Sequence, residues 1–257
     1  MSDLLGKLTV WSGELAGLLW GNGLTLLILL GMGLYLTIRL GLVQLRGFRH
    51  SIALISGAYH CPDHEGQITH FQALSTALSA TVGTGNIAGV ATAISLGGPG
   101  ALFWMWVTAF FGMATKFTEC TLALKFRQVD EHGEISGGPM YTLLNGLQMK
   151  RMAVLFASFA LIASFGIGNM VQANSVVDGL GYLFPQVRDN AWLVGGVLAF
   201  LVGLVILGGV QRIARVASTI VPFMALLYVG AAILVLVNHA GQITAALAMI
   251  VNHALKP

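Results

Sequence analysis

Apolar residues gather along this chain into six long runs separated by short polar stretches. The runs extend over about Gly23 to Leu42, Phe71 to Leu96, Pro99 to Phe126, Met152 to Leu180, Trp192 to Gly209 and Ser218 to Val237. A bilayer's hydrocarbon core, about 30 Å thick, is crossed by about 20 residues of helix at 1.5 Å rise each. An unsatisfied backbone group in lipid costs several kcal/mol, so each run predicts a helix unless protein or water covers it. The first run is too long for a signal-peptide core and lacks a small-residue cleavage site, so it is expected to be retained. The second is interrupted by glycines. The stretch after the sixth run, Asn238 to Pro257, is moderately apolar and is expected to lie along the membrane interface.

Composition closes off the soluble alternatives. Of 257 residues, 56% are hydrophobic and 9% charged, against roughly 25% charged in a soluble globular domain. The formal net charge of +3 does not imply a nucleic-acid partner, because the basic residues lie between apolar runs rather than in one patch. Cys61 and Cys120 are far apart and make neither a disulfide framework nor a zinc-type spacing.

Basic residues also predict orientation, since short cytoplasmic loops hold the excess of Lys and Arg. With the first loop inside, Arg39, Arg46, Arg49, Lys125, Arg127, Lys150, Arg151, Arg212 and Arg215 are cytoplasmic, nine in all. Lys7, Arg188 and Lys256, three in all, fall on the opposite side, and Lys116 lies within the third run. Both termini are therefore expected outside, in a multi-pass protein of the cell membrane. Trp20 and Trp192 stand at run ends, where interfacial aromatics belong.

The chemistry concentrates in the second run, which reads Ser79-Ala80-Thr81-Val82-Gly83-Thr84-Gly85-Asn86-Ile87-Ala88-Gly89. Glycine lowers helix propensity by about 1 kcal/mol, so the run is expected to unwind locally and to line a polar cavity. Amides opening the second half-helix near Asn86 suit a carboxylate, and carbonyls ending the first near Val82 suit a small cation. The alternative is close helix packing through small residues.

Three further motifs accompany it: Gly97-Gly98-Pro99-Gly100-Ala101-Leu102-Phe103-Trp104-Met105-Trp106 running on to Gly112, Ser136-Gly137-Gly138-Pro139-Met140-Tyr141, and Gly168-Asn169-Met170-Val171-Gln172-Ala173-Asn174. Together with Thr81 to Ala93 they resemble the alanine or glycine:cation symporter family, also called the sodium:alanine symporters. The resemblance covers most of Gln67 to Gln211. It implies an all-α integral membrane fold similar to LeuT-type transporters, with two inverted five-helix repeats. Here one extra helix and its loop, 1–70, would precede the first repeat, 71–240, with the second repeat expected from 241 onward. Full family members are longer, and the chain stops where that repeat should begin.

The same resemblance implies roles. Thr84 and Gly85 amides would meet a substrate carboxylate, and the Thr81 carbonyl with the Asn86 side chain would meet one Na⁺. Ser79 and Val82 carbonyls would meet a second cation. Gln172 is the candidate polar side chain facing the substrate, its alternative being an interhelical hydrogen bond. The implied substrates are alanine or glycine and the coupling ion Na⁺, or H⁺ in some members, with no cofactor and no enzymatic reaction. The rival reading is a truncated or split symporter, inactive alone, that pairs with a separately encoded second half or with another copy of itself.

Other signals carry less. Lys116 and Glu119 lie three apart on the third helix, where an ionisable pair invites a functional reading; snorkelling toward the cytoplasmic face accounts for it better. His60, Cys61, Asp63, His64, Glu65 and His70 match no standard ligand spacing. Gly203, Gly208 and Gly209 read as close packing. No Walker loop, nucleophile elbow or metalloprotease helix occurs.

The charge bias is directly testable. In a protein lacking Cys61 and Cys120, single cysteines near Arg46 and near Asp189 should label from opposite sides of intact cells. Labelling of both by an impermeant reagent would overturn the six-span topology.

Overall fold

The computed structural model describes residues 2–21, 23–59, 66–131, 133 and 135–255. It is 85% helical. Helix α1 spans Ser2–Ala16, ahead of the first expected span. After a π turn over Gly17–Gly21, α2 spans Leu24–Arg39, and the helical stretches on either side meet at 41°. Two short helices follow, α3 (Val43–Arg46) and α4 (Phe48–Ile55). The second run forms α5 (His70–Thr81) and α6 (Gly85–Gly97), bent by 56° at their junction. The third forms α7, Gly100–Lys125. A two-residue hairpin pairs Gln128 with Ser136 and Val129 with Ile135.

The remaining runs form α8 (Lys150–Leu183), α9 (Ala191–Ile206) and α10 (Gly209–Asn238), followed by α11 (Ile243–Leu255). Among the described residues, α8 and α10 are long and apolar enough to cross a membrane unbroken, and each bent pair can form one more span. Helix α7 has 26 residues, about 39 Å at 1.5 Å each.

One expectation is revised. The helix of the sixth run starts at Gly209 instead of Ser218, so Arg212 and Arg215 lie inside it, and it runs unbroken through Pro222. The tail forms a helix laid on α7. There Ala254 is buried and its carbonyl accepts from Trp104 Nε1 at 3.3 Å. Small residues permit that contact: a Cβ on Gly100 would stand 2.6 Å from the His253 carbonyl carbon. His60, Cys61, Asp63, His64, Glu65 and Lys256 lie outside the described residues, and His70 is the first residue of α5.

Packing divides the halves of the broken helix between different neighbours. Helix α5 begins with a capping box, in which Thr69 and Gln72 exchange hydrogen bonds of 3.2 and 3.0 Å. It lies along α10, where Ser75, Ala214, Ala217 and Val221 are buried. Helix α6 turns through Gly97-Gly98-Pro99, with Gly98 at φ 70°, and packs instead on α7. Helix α7 also carries α2, with Gly33 against the Phe111 backbone.

The molecule exposes 19503 Å². A compact soluble monomer of 27.1 kDa would expose about 11,000 Å². The excess lies on long apolar side chains such as Leu96, Leu207 and Leu226, which lipid or further protein must cover.

Replacing Gly100 with Val should wedge α11 off α7 at a cost of about 1–3 kcal/mol. Faster amide exchange across Ile243–Leu255, with α5 and α10 unchanged, is the expected result in lipid nanodiscs. Uniform exchange rates would mean that the two helices are not in contact.

Candidate functional site

The break is narrower than the sequence suggests. Helical bonding runs to the Val82 amide, which donates to Leu78 O at 2.7 Å, and resumes with the Asn86 amide on Gly83 O at 3.1 Å. Between them Val82 is extended at φ −84°, ψ 98°. Among the described residues the Gly83 amide donates to no backbone carbonyl, so Ser79 O loses its i+4 donor. Thr84 is already helical at φ −58°, ψ −29°, and Gly85–Gly89 continue as π turns. Only Val82 and Gly83 leave the helix, then, while Thr84, Gly85 and Asn86 belong to the start of the second half.

Gln172 comes to this break from 88 residues away. Its Oε1 accepts from the Thr84 amide at 3.5 Å, a long bond. A Cβ on Gly83 would stand 3.1 Å from Gln172 Nε2 and 3.3 Å from Oε1, so the carboxamide rests directly on backbone that only glycine leaves bare. The interhelical hydrogen bond and the proximity to the break are both present. Helix α8 reaches this register through a π stretch, Ser164–Met170, immediately before Val171 and Gln172. A π turn holds an extra residue and so re-aims the side chains that follow. Gly166 and Gly168 in that stretch are its signal in the sequence.

The other candidates surround the break unequally. Thr81 turns its hydroxyl back onto Ala77 O at 2.7 Å, leaving its carbonyl as the group to offer a ligand. Ser79, Gly85 and Asn86 are exposed, Val82 and Thr84 half-buried. Nothing lies within 4 Å of a Cβ built on Gly85, so open space adjoins the amides that begin α6. The Asn86 side chain has no hydrogen-bond partner among the described residues. The junction thus presents carbonyls at the C-terminal end of α5 and amides at the N-terminal end of α6. These carry opposite partial charges at one place, and the donor set is oxygen throughout on the cation side, as hard monovalent ions require. No group of His, Cys, Asp or Glu that could hold a transition metal occurs among the described residues.

Lys116 and Glu119 lie apart from this junction. They form an ion pair at 3.3 Å on α7, exposed by 61% and 44%; such an exposed pair contributes little to stability.

Apolar helices of spanning length, one of them broken where a distant polar side chain meets it, make this a membrane-embedded helical protein. The model of the sodium:alanine symporter family matches residues 6–257, and the chain belongs to that family. It is 49% identical over 239 residues to the sodium/alanine symporter AgcS of Methanococcus maripaludis, covering 91% of this chain and 52% of that protein. An uncharacterized transporter of Haemophilus influenzae is 44% identical over 261 residues, covering 98% of this chain and 51% of the relative. The probable sodium/glutamine symporter GlnT of Bacillus subtilis is 40% identical over 239 residues, covering 92% and 48%. The chain spans about half the length of the curated relatives it matches.

Cysteines placed at Gly83 and Gln172, in a protein lacking Cys61 and Cys120, should cross-link readily under mild oxidation. A Gly89–Gln172 cysteine pair serves as the control. Equal yields from both pairs would remove Gln172 from the break.

Proposed function

We propose that this chain forms the first-repeat half of a sodium-coupled symporter for alanine or glycine in the cell membrane. The observation that carries the reading is the α5–α6 junction, where freed carbonyls and freed amides meet beside open space and Gln172. Family membership and relatives named as sodium/alanine and sodium/glutamine symporters support sodium-coupled amino-acid transport. A zwitterion and a cation have complementary needs at such a junction: the amides of Thr84 and Gly85 take the substrate carboxylate, and the carbonyls take the ion. Thr81 O and the Asn86 side-chain oxygen form the first cation site, and Ser79 O and Val82 O contribute to a second.

In this reading α5–α6, α7, α8, α9 and α10 are the five spans of a LeuT-like repeat, with α1 and α2 as the additional N-terminal element and α11 opening the inverted repeat. Cation binding draws the loose Val82–Gly83 backbone into order, substrate then displaces the Gln172 carboxamide from the Thr84 amide, and the two groups of helices rock about the junction. The division of α5 onto α10 and α6 onto α7 supports a hinge there. One charge moving down 100 mV releases about 2.3 kcal/mol, which sustains roughly fifty-fold accumulation at 1.4 kcal/mol per decade.

A second reading concerns the completeness of the pathway. Residues 1–257 span about half the length of the relatives, and uptake needs the residues of a second repeat as well.

Radiolabelled alanine uptake into proteoliposomes tests both. No gradient-driven uptake is expected from the chain alone, and uptake is expected when a homologous second repeat is co-reconstituted. In that restored assembly, Asn86→Ala should raise the Na⁺ concentration for half-maximal uptake, and Gly85→Val should abolish alanine binding while insertion continues. An unchanged Na⁺ dependence removes Asn86 from the cation site. Alanine binding retained by Gly85→Val would make the break a packing device. Na⁺-driven uptake by residues 1–257 alone would refute the need for a second repeat.

A further inference from the structure

We propose that the segment from Arg39 to Tyr59 is a binding surface for anionic phospholipid headgroups. The segment is fixed at its root. Gly41 and Leu42, at φ 60° and 56°, turn the chain away from the end of α2. Gln44 then ties it back, with Nε2 donating to Thr37 Oγ1 at 2.8 Å and to Phe110 O at 3.1 Å. Helix α3 is therefore held against the membrane helices α2 and α7, and α4 packs on α5.

Helix α4 has two unlike faces. At 100° per residue, Phe48, Ile52 and Ile55 share one side, and they are 65%, 53% and 37% exposed. Ala53 and Leu54 are half-buried, and α4 packs on α5. Leu45 and Ile38 of α2 are likewise exposed and call for an apolar cover of their own. The outward apolar face of α4 is the pattern of a helix lying in the boundary between headgroups and acyl chains.

Charge selects the headgroup. Arg39, Arg46 and Arg49 fall within this segment, and residues 39–59 contain no Asp or Glu. None of the three forms an ion pair among the described residues. Arg46 folds over Gly41, its Nη1 2.9 Å from where a Cβ would stand, which returns that guanidinium to the C-terminal end of α2, whose last residue is Arg39. Guanidinium forks match phosphate oxygens bidentately, and basic clusters flanking a span are drawn to anionic leaflets. A soluble acidic protein would satisfy the charges but leave Phe48, Ile52 and Ile55 uncovered. The next carboxylates in sequence, Asp63 and Glu65, lie outside the described residues, and the experiment below also reports whether they neutralise the arginines.

The test uses the whole chain in nanodiscs of phosphatidylcholine with or without phosphatidylglycerol. Native mass spectrometry should give phosphatidylglycerol binding that falls about tenfold or more in the Arg39→Gln/Arg46→Gln/Arg49→Gln variant. The corresponding triple lysine variant should retain most of it, and Lys150→Gln/Arg151→Gln should leave it unchanged. A bimane probe on Ile52→Cys, with Cys61 and Cys120 replaced, should be quenched by brominated acyl chains. Unchanged phosphatidylglycerol binding in the glutamine variant would overturn the proposal and would fit neutralisation by Asp63 and Glu65. Water-like bimane emission in phosphatidylglycerol nanodiscs would also overturn it, and would point to a protein cover for this face.

Discussion

A peptide group in hydrocarbon must find its hydrogen bond within the protein, and most of this structure follows from that demand. It forces the apolar runs into helices, and it makes the interruption at Val82 and Gly83 conspicuous. Opening a helix at membrane depth exposes groups that only another protein element, water or a ligand can satisfy. The chain answers part of the demand internally: Gln172 reaches the Thr84 amide, and Asn86 bonds back to Gly83. What stays open, chiefly around Gly85, is the space that a polar ligand can fill.

Small residues decide which helices hold the junction. Helix α5 packs on α10, and the residues buried on the two helices include the small Ser75, Ala214 and Ala217, which permit close backbone approach. The second half leans on α7 through the turn at Gly97 to Gly100. In lipid no hydrophobic force draws helices together, so association depends on such close fit and on interhelical hydrogen bonds. The same logic explains why Gly33, Gly83 and Gly100 stand at contacts while bulky Leu, Ile and Phe side chains face outward.

Much of the fold was legible because hydropathy and backbone satisfaction act locally. The second, third and fourth runs coincide with the broken helix, α7 and α8 to within a few residues. The break was legible too, from glycine's low propensity between Thr81 and Gly85, although its width was not. Once Asn86 can bond to Gly83, helix resumes at Thr84, and that balance depends on neighbours invisible in sequence. Helix α1 was missed because Lys7 and Glu14 dilute its apolar pattern. The early start of α10 was missed because Arg212 and Arg215 resemble a loop, yet their turn packs through Ala214. Gln172 was singled out in the sequence as a polar residue facing the substrate or bonding between helices, but its place against Gly83 was not legible there, and the π stretch that aims it has no simple hydropathy signature.

The docking of α11 on α7 also bears on how the chain is made. Trp104 and the Ala254 carbonyl are separated by 150 residues. At about 5–20 residues per second, synthesis of the intervening chain takes roughly 8 to 30 seconds. Throughout that interval α7 stands in the membrane with its Gly100 notch unfilled. A notch of that shape is open to other small-residue helices, so it needs shielding until α11 emerges from the ribosome.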